Sequence, residues 1–226
     1  MAFLVGLLLL IQLCVGQPRD RFKEDFPDGI GSPCLIAMHD SVTKDDAVKL
    51  LEILKSDNAK EECNINEIIP DGSGQTLIMN AVLHGKSIEV VSALLDNGAD
   101  VTIGERQGYT PIHGAGFQGR AQLAKLLVEH PNSKMNVMDI HPGDNFTPFH
   151  RACWGTEQRH SETAEMLIKL GADPDLYMCR KRRGRDGNPE DDCQHLFEVT
   201  QNPETKRIIA KYTKLDQYKS DKTEEL

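Results

Sequence analysis

The chain has 226 residues, 27% of them charged and 39% hydrophobic, with 5% aromatic. Its formal net charge of −9 disfavours a general nucleic-acid binder, because affinity through counterion release needs a basic face. The length suits one or two domains, and nothing in the composition is collagenous or low in complexity.

Residues 1–13 are nearly all apolar and uncharged, and Cys14-Val15-Gly16 places small residues at both cleavage-recognition positions. This predicts a secretory signal peptide over 1–16, although a basic leading region is missing. Its apolar core of about a dozen residues is short against the roughly 20 that a spanning helix needs, so no membrane span is expected after cleavage. Residues 17–32, with Pro, Asp, Gly and mixed charge, read as an unstructured lead-in. Pro33 to Ser41 and Lys44 to Lys55 read as a helix pair, the second with Ala47, Val48, Leu50, Leu51 and Leu54 on its apolar side. Residues 33–70 are therefore expected to close one end of a stack, with a polar outer face and a long connection from Ser56 to Asp71.

A repeated pattern follows. Gly74-Gln75-Thr76-Leu77-Ile78-Met79, Gly108-Tyr109-Thr110-Pro111-Ile112-His113 and Asn145-Phe146-Thr147-Pro148-Phe149-His150 share one grammar. Their threonines lie 34 (110 − 76) and 37 (147 − 110) residues apart, a spacing of stacked helical units. Gly or Asn supplies a left-handed turn, Thr opens a helix with a hydroxyl able to cap its first amides, and Pro fits the first helical position. The His can reach back to the turn. Small residues (Ala81; Ala115 and Gly116; Ala152 and Cys153) then allow neighbouring helices to approach.

The second half of each unit agrees. Val90, Val91, Leu94 and Leu95, then Leu123, Ala124, Leu127 and Val128, then Thr163, Ala164, Leu167 and Ile168, each put one stripe on a helix. Gly98 and Gly171 are helix stops. In the middle unit Pro131 stops the helix, and Asn132 is the residue expected to turn the chain.

Through Thr-Pro-Ile-His at 110–113, Thr-Pro-Phe-His at 147–150 and the looser Thr-Leu-Ile-Met at 76–79, the sequence resembles the ankyrin repeat. The resemblance covers most of 33–212 and implies an all-α solenoid of helix-turn-helix units joined by short hairpin loops, with repeats at 71–103, 104–138 and 139–175. It departs in the middle unit, which lacks Gly-Ala-Asp, and in the third, which carries an insertion around Thr156–Arg159. It further implies a protein-binding surface made of the turn tips and the concave inner-helix face. By motif position the exposed candidates are Gln75, His84, Arg106, Gln107, Tyr109, Phe117, Gln118, Asp144, Phe146 and Trp154. Tyr109, Phe117, Phe146 and Trp154 are large enough to anchor an interface, although inter-repeat packing is an alternative role for Phe117 and Trp154.

Tyr177 to Asp192 reads as a loop around Arg180-Lys181-Arg182-Arg183, inside a closing unit over 176–212 whose last helix pair spans Asp192 to Thr200 and Pro203 to Lys214. The basic run has three readings: a solvated loop, a dock for an acidic partner, or a cleavage site at Arg180, Lys181, Arg182 and Arg183 of the kind that proprotein convertases read. Residues 213–226 form an acidic tail. It ends in Thr223-Glu224-Glu225-Leu226, which resembles an endoplasmic-reticulum retrieval signal except at its first position.

In an oxidising compartment the cysteines sort into two local bridges, Cys34–Cys63 and Cys179–Cys193, and leave Cys153 as a packed thiol at a small-residue position. Asn145-Phe146-Thr147 is an N-glycosylation sequon, but the turn by itself accounts for Asn145. His113 and His150 belong to the repeat motif, and Cys193-Gln194-His195 lacks a second ligand pair, so no metal or other cofactor is expected. No phosphate loop, paired-carboxylate motif or serine elbow appears. The sequence thus reads as a non-enzymatic adaptor of the secretory pathway, secreted or held in the endoplasmic-reticulum lumen, that binds another protein. A precursor processed at 180–183 is the alternative, and a luminal redox or metal protein using Cys153 or Cys193 is a third reading.

Overall fold

The computed structural model describes residues 31–56, 63–183 and 189–213. The expected leader at 1–16, most of the lead-in and nearly all of the acidic tail lie outside these residues. Helices α1 (Pro33–Thr43), α3 (Leu77–Leu83), α5 (Pro111–Gln118) and α7 (Pro148–Trp154) pack side by side as an inner row. Helices α2 (Ala47–Leu54), α4 (Ile88–Asp96), α6 (Ala121–Glu129) and α8 (Gln158–Lys169) form the outer row behind them. After α8 comes an antiparallel hairpin, β1 (Tyr177–Arg183) and β2 (Pro189–His195), and then α9 (Leu196–Val199) and α10 (Pro203–Tyr212) continue the inner and outer rows. A continuous apolar core runs between the rows from Leu35 through Leu77, Leu94, Ile112, Leu127, Phe149 and Leu167 to Ile209. No helix among the described residues is long and apolar enough to cross a membrane.

The turn grammar operates as the residues suggest. Gly74, Gly108 and Asn145 hold φ of +75°, +93° and +60°, the region that costs a β-branched residue most. Thr76, Thr110 and Thr147 follow in extended conformation and open α3, α5 and α7. The Thr76 and Thr110 hydroxyls, however, do not bond the first backbone amides, whereas Thr147 forms a reciprocal capping box with His150. Thr110 and Thr147 each meet Nδ1 of the histidine three residues on, both at 2.9 Å. Nε2 of His113 meets the Phe146 carbonyl and Nε2 of His150 the Tyr177 carbonyl, both at 3.1 Å, so each histidine ties its own turn to the next unit, and the Thr110 hydroxyl donates to Asp139 at 2.7 Å. In the first unit Met79 occupies the histidine position, and the Thr76 hydroxyl is buried with no partner. Gly116 sets the close approach of α5 to α7: a methyl group there would collide with the Pro148 carbonyl oxygen.

Four expectations are corrected. Helix α2 starts at Ala47 rather than Lys44, because Asp45 takes a left-handed turn and Asp46 caps Lys49, and Val48 faces solvent at 71% exposure. Asn132 does not take a left-handed conformation. The middle unit turns instead through Ser133, whose amide bonds the His130 carbonyl and whose hydroxyl bonds the Leu127 carbonyl. The basic run is not a loop: Arg180, Lys181 and Arg182 face Asp192, Asp191 and Glu190 across a paired ladder. The stretch from Asp192 to His195 is therefore strand, and the helix expected from Asp192 shrinks to the single turn of α9.

Candidate functional site

Equivalent positions of the inner helices build one groove. The seventh residues of α3, α5 and α7 are Leu83, Phe117 and Trp154, a row of large apolar side chains along the stack. Phe117 is 56% exposed and Trp154 40%. The fourth residues are Asn80, Gly114 and Arg151, so the middle unit has no side chain where its neighbours have polar ones. Gly114 floors a depression of about 330 Å³ walled by Met79, Leu83, Phe117 and Trp154, with Glu105, Gln107 and Tyr109 entering from the turn before α5.

Arg151 is the residue the motif reading missed. It is only 4% exposed, although it stands in the polar slot of an inner helix. Its guanidinium lies 4.8, 5.2 and 5.1 Å from the ring centroids of Tyr109, Phe146 and Trp154, within the reach of cation–π attraction. Nη2 donates to Asp144 at 2.5 Å and to the Tyr109 hydroxyl at 3.1 Å, joining two repeats. Burial by itself would raise the Asp144 pKa, but the bonds from Arg151, the Phe146 amide and His141 outweigh it and hold this carboxyl below its ordinary value. The available signal was an arginine between Phe149 and Trp154, seven residues after an aspartate.

The candidate residues therefore divide. Gln75, Gln107, Tyr109, Phe117 and Trp154 line the depression. Arg106 is exposed near the same turn tip, whereas His84 and Gln118 lie beyond the groove at the ends of α3 and α5. Phe146 is not presented to a partner. It is 9% exposed, stacked on His150 at 4.9 Å and covered by Arg151. Asp144 is half-buried and committed to Arg151 and His141. Tyr109 stacks on His141 at 4.0 Å, so it serves packing as well as the groove.

The other candidates resolve by burial and pairing. Cys34 and Cys63 are bridged with Cα atoms 5.3 Å apart, and Cys179 and Cys193, opposite each other in the hairpin, with Cα atoms 4.0 Å apart. Cys193 is thus no metal ligand. Cys153 is buried, and burial pushes its thiol above the ordinary range, the opposite of what a nucleophile needs. Among the described residues no group of three or more His, Cys, Asp or Glu side chains is placed to hold a metal. Asn145 is exposed at its turn.

A profile of three ankyrin repeats matches residues 35–139, and the single ankyrin repeat matches 144–178. The chain is an ankyrin-repeat protein. It is 32% identical over 149 residues to a putative palmitoyltransferase, ZDHHC13, of Danio rerio, which covers 65% of this chain and 20% of that protein. It is 34% identical over 96 residues to Rabankyrin-5 of Mus musculus, 42% of this chain and 8% of the other. Alpha-latrocrustotoxin-Lt1a of Latrodectus tredecimguttatus is 26% identical over 145 residues, 64% of this chain and 9% of the toxin. The chain thus spans a fifth or less of each of these relatives, and ankyrin repeats, the part of the architecture it matches, are protein-interaction modules without chemistry of their own.

Proposed function

We propose that this chain is a non-catalytic adaptor of the secretory pathway that grips another protein through its groove and the adjoining turn tips. The observation that carries it is the row Leu83–Phe117–Trp154, in which the repeat leaves large apolar side chains open to solvent around the bare floor at Gly114. The setting in the secretory pathway is supported by the two bridges, Cys34–Cys63 and Cys179–Cys193, and by the apolar composition of residues 1–13. Tyr109 braces Arg151, so an Arg106→Ala, Phe117→Ala pair tests the surface more cleanly than a change at Tyr109. Capture of the partner is expected to fall while the unfolding midpoint stays within about 2 °C. Equal loss of both would mean that the residues serve the core.

Cleavage at Arg180–Arg183 is not favoured by the hairpin, because each of these residues is opposite a partner in a ladder instead of in an open loop. Intact mass of the exported chain, reduced and non-reduced, is expected to show one unbroken polypeptide. A fragment released only by reduction would restore the precursor reading.

A further inference from the structure

We infer that the depression over Gly114 receives a long basic side chain, a lysine or arginine of the partner protein; this deepens the protein-binding reading and rests on it. Met79, Leu83, Gly114 and Phe117 give it an apolar stretch, which suits an aliphatic stem, and Glu105 lines it as well, which suits a cationic head. The Glu105 carboxylate is held in place by neutral donors: Oε1 accepts the amides of Gln107 and Tyr109 at 3.0 and 3.3 Å, and the side-chain amide of Gln107 donates to Oε2. Among the described residues no lysine, arginine or histidine forms an ion pair with it. The other charge of the groove is already balanced, since Arg151 is matched by Asp144. Arg151 also occupies the rings of Tyr109 and Trp154, whereas the half-exposed ring of Phe117 has no cation or ring stacked on it among the described residues. A carboxylate with no cationic partner among the described residues and an aromatic face with no cation or ring stacked on it thus share one depression, on a chain of net charge −9 that attracts basic partners at long range.

Gly114 makes the inference testable without dismantling the fold. A Cβ added there would lie 3.0 Å from Leu83 Cδ2 and 3.6 Å from Met79 Cε, the ends of flexible side chains that wall the groove, so Gly114→Leu plugs the depression itself. The experiment is an amide NMR titration of the full chain with glycine-serine peptides that differ only at one central residue: lysine, arginine, leucine or glutamate. Lysine and arginine peptides are expected to shift the Gly114 and Tyr109 amides, with leucine weaker by about fivefold or more and glutamate without effect. Glu105→Gln should bring lysine down to the level of leucine, and Gly114→Leu should abolish both responses while thermal unfolding stays cooperative. Leucine binding as well as lysine, a Glu105→Gln chain that keeps the preference, or no shift with any peptide would each overturn the inference. A photo-crosslinking phenylalanine at position 117, used in secreting cells, separates this from the broader reading. Adducts that persist undiminished in the Glu105→Gln chain leave protein binding standing and remove the basic side chain, whereas no adduct removes both.

Discussion

Arg151 joins two repeats through a buried side chain. It is a buried cation paired with one carboxylate and flanked by three rings, its Nε left without a hydrogen-bond partner among the described residues, and it couples the middle repeat to the third. Removing it strands Asp144 and empties space among Tyr109, Phe146 and Trp154. Arg151→Ala is therefore expected to cost about 2–4 kcal/mol in denaturant unfolding, toward the lower part of that range because Asp144 keeps some contact with water. The two glycines of α5 make a contrasting pair. Gly116→Ala should destabilise by about 1–3 kcal/mol, because backbone stands where its methyl would go. Gly114→Ala should be near neutral, the gain in helix propensity offsetting a tight contact with a movable Leu83. Unfolding midpoints of the two variants check both. Burial lowers the pKa of His113 and His150, with the Nε2–H bonds to Phe146 and Tyr177 opposing only in part. The unfolded chain takes up these protons more readily, so their contribution is fully present above about pH 6.5 and is lost as pH falls from there toward the lowered folded values. Stability measured from pH 7.5 down to 5 should decline progressively, and a flat profile would mean that the rings are not held neutral. Little of this residue-level detail was legible in advance. The motif announced His113 and His150, but a pattern of residue types does not say that Phe146 turns under Arg151 or that Asp144 is spent on it.

Among the elements, the inner and outer helices were legible because their stripes and stops are local: the turn at Gly108 and the run Leu123–Val128 each act within one unit. The hairpin was hidden for a physical reason. Its strands alternate charge with charge, Arg180 to Arg183 against Glu190 to Asp192, and carry no apolar period of 2. Only the opposition of Cys179 and Cys193 pointed to it. A two-stranded ribbon that is anchored only at Met178 and His195, and otherwise largely exposed among the residues whose burial is described, is marginal alone, so this bridge is expected to set its order. In a Cys179→Ser, Cys193→Ser chain, amide exchange should rise across β1 and β2, while that of α5 and α7 stays within about twofold of the parent. Equal loosening of α5 and α7 would show that the hairpin braces the stack.

At the scale of the molecule, the helix pairs pack against their neighbours in chain order, and among the described residues no group of three or more His, Cys, Asp or Glu side chains is placed to hold a metal. Recognition therefore falls to the surface that stacking leaves open. That surface is lined by Leu83, Phe117 and Trp154, while Val48 marks the outer row on the opposite side of the core. The most direct test places one photo-crosslinking residue at Phe117 and, in a second chain, the same residue at Val48. The account predicts a defined adduct with one protein from position 117 and none from position 48. A strong adduct from position 48 with nothing from position 117 would contradict it.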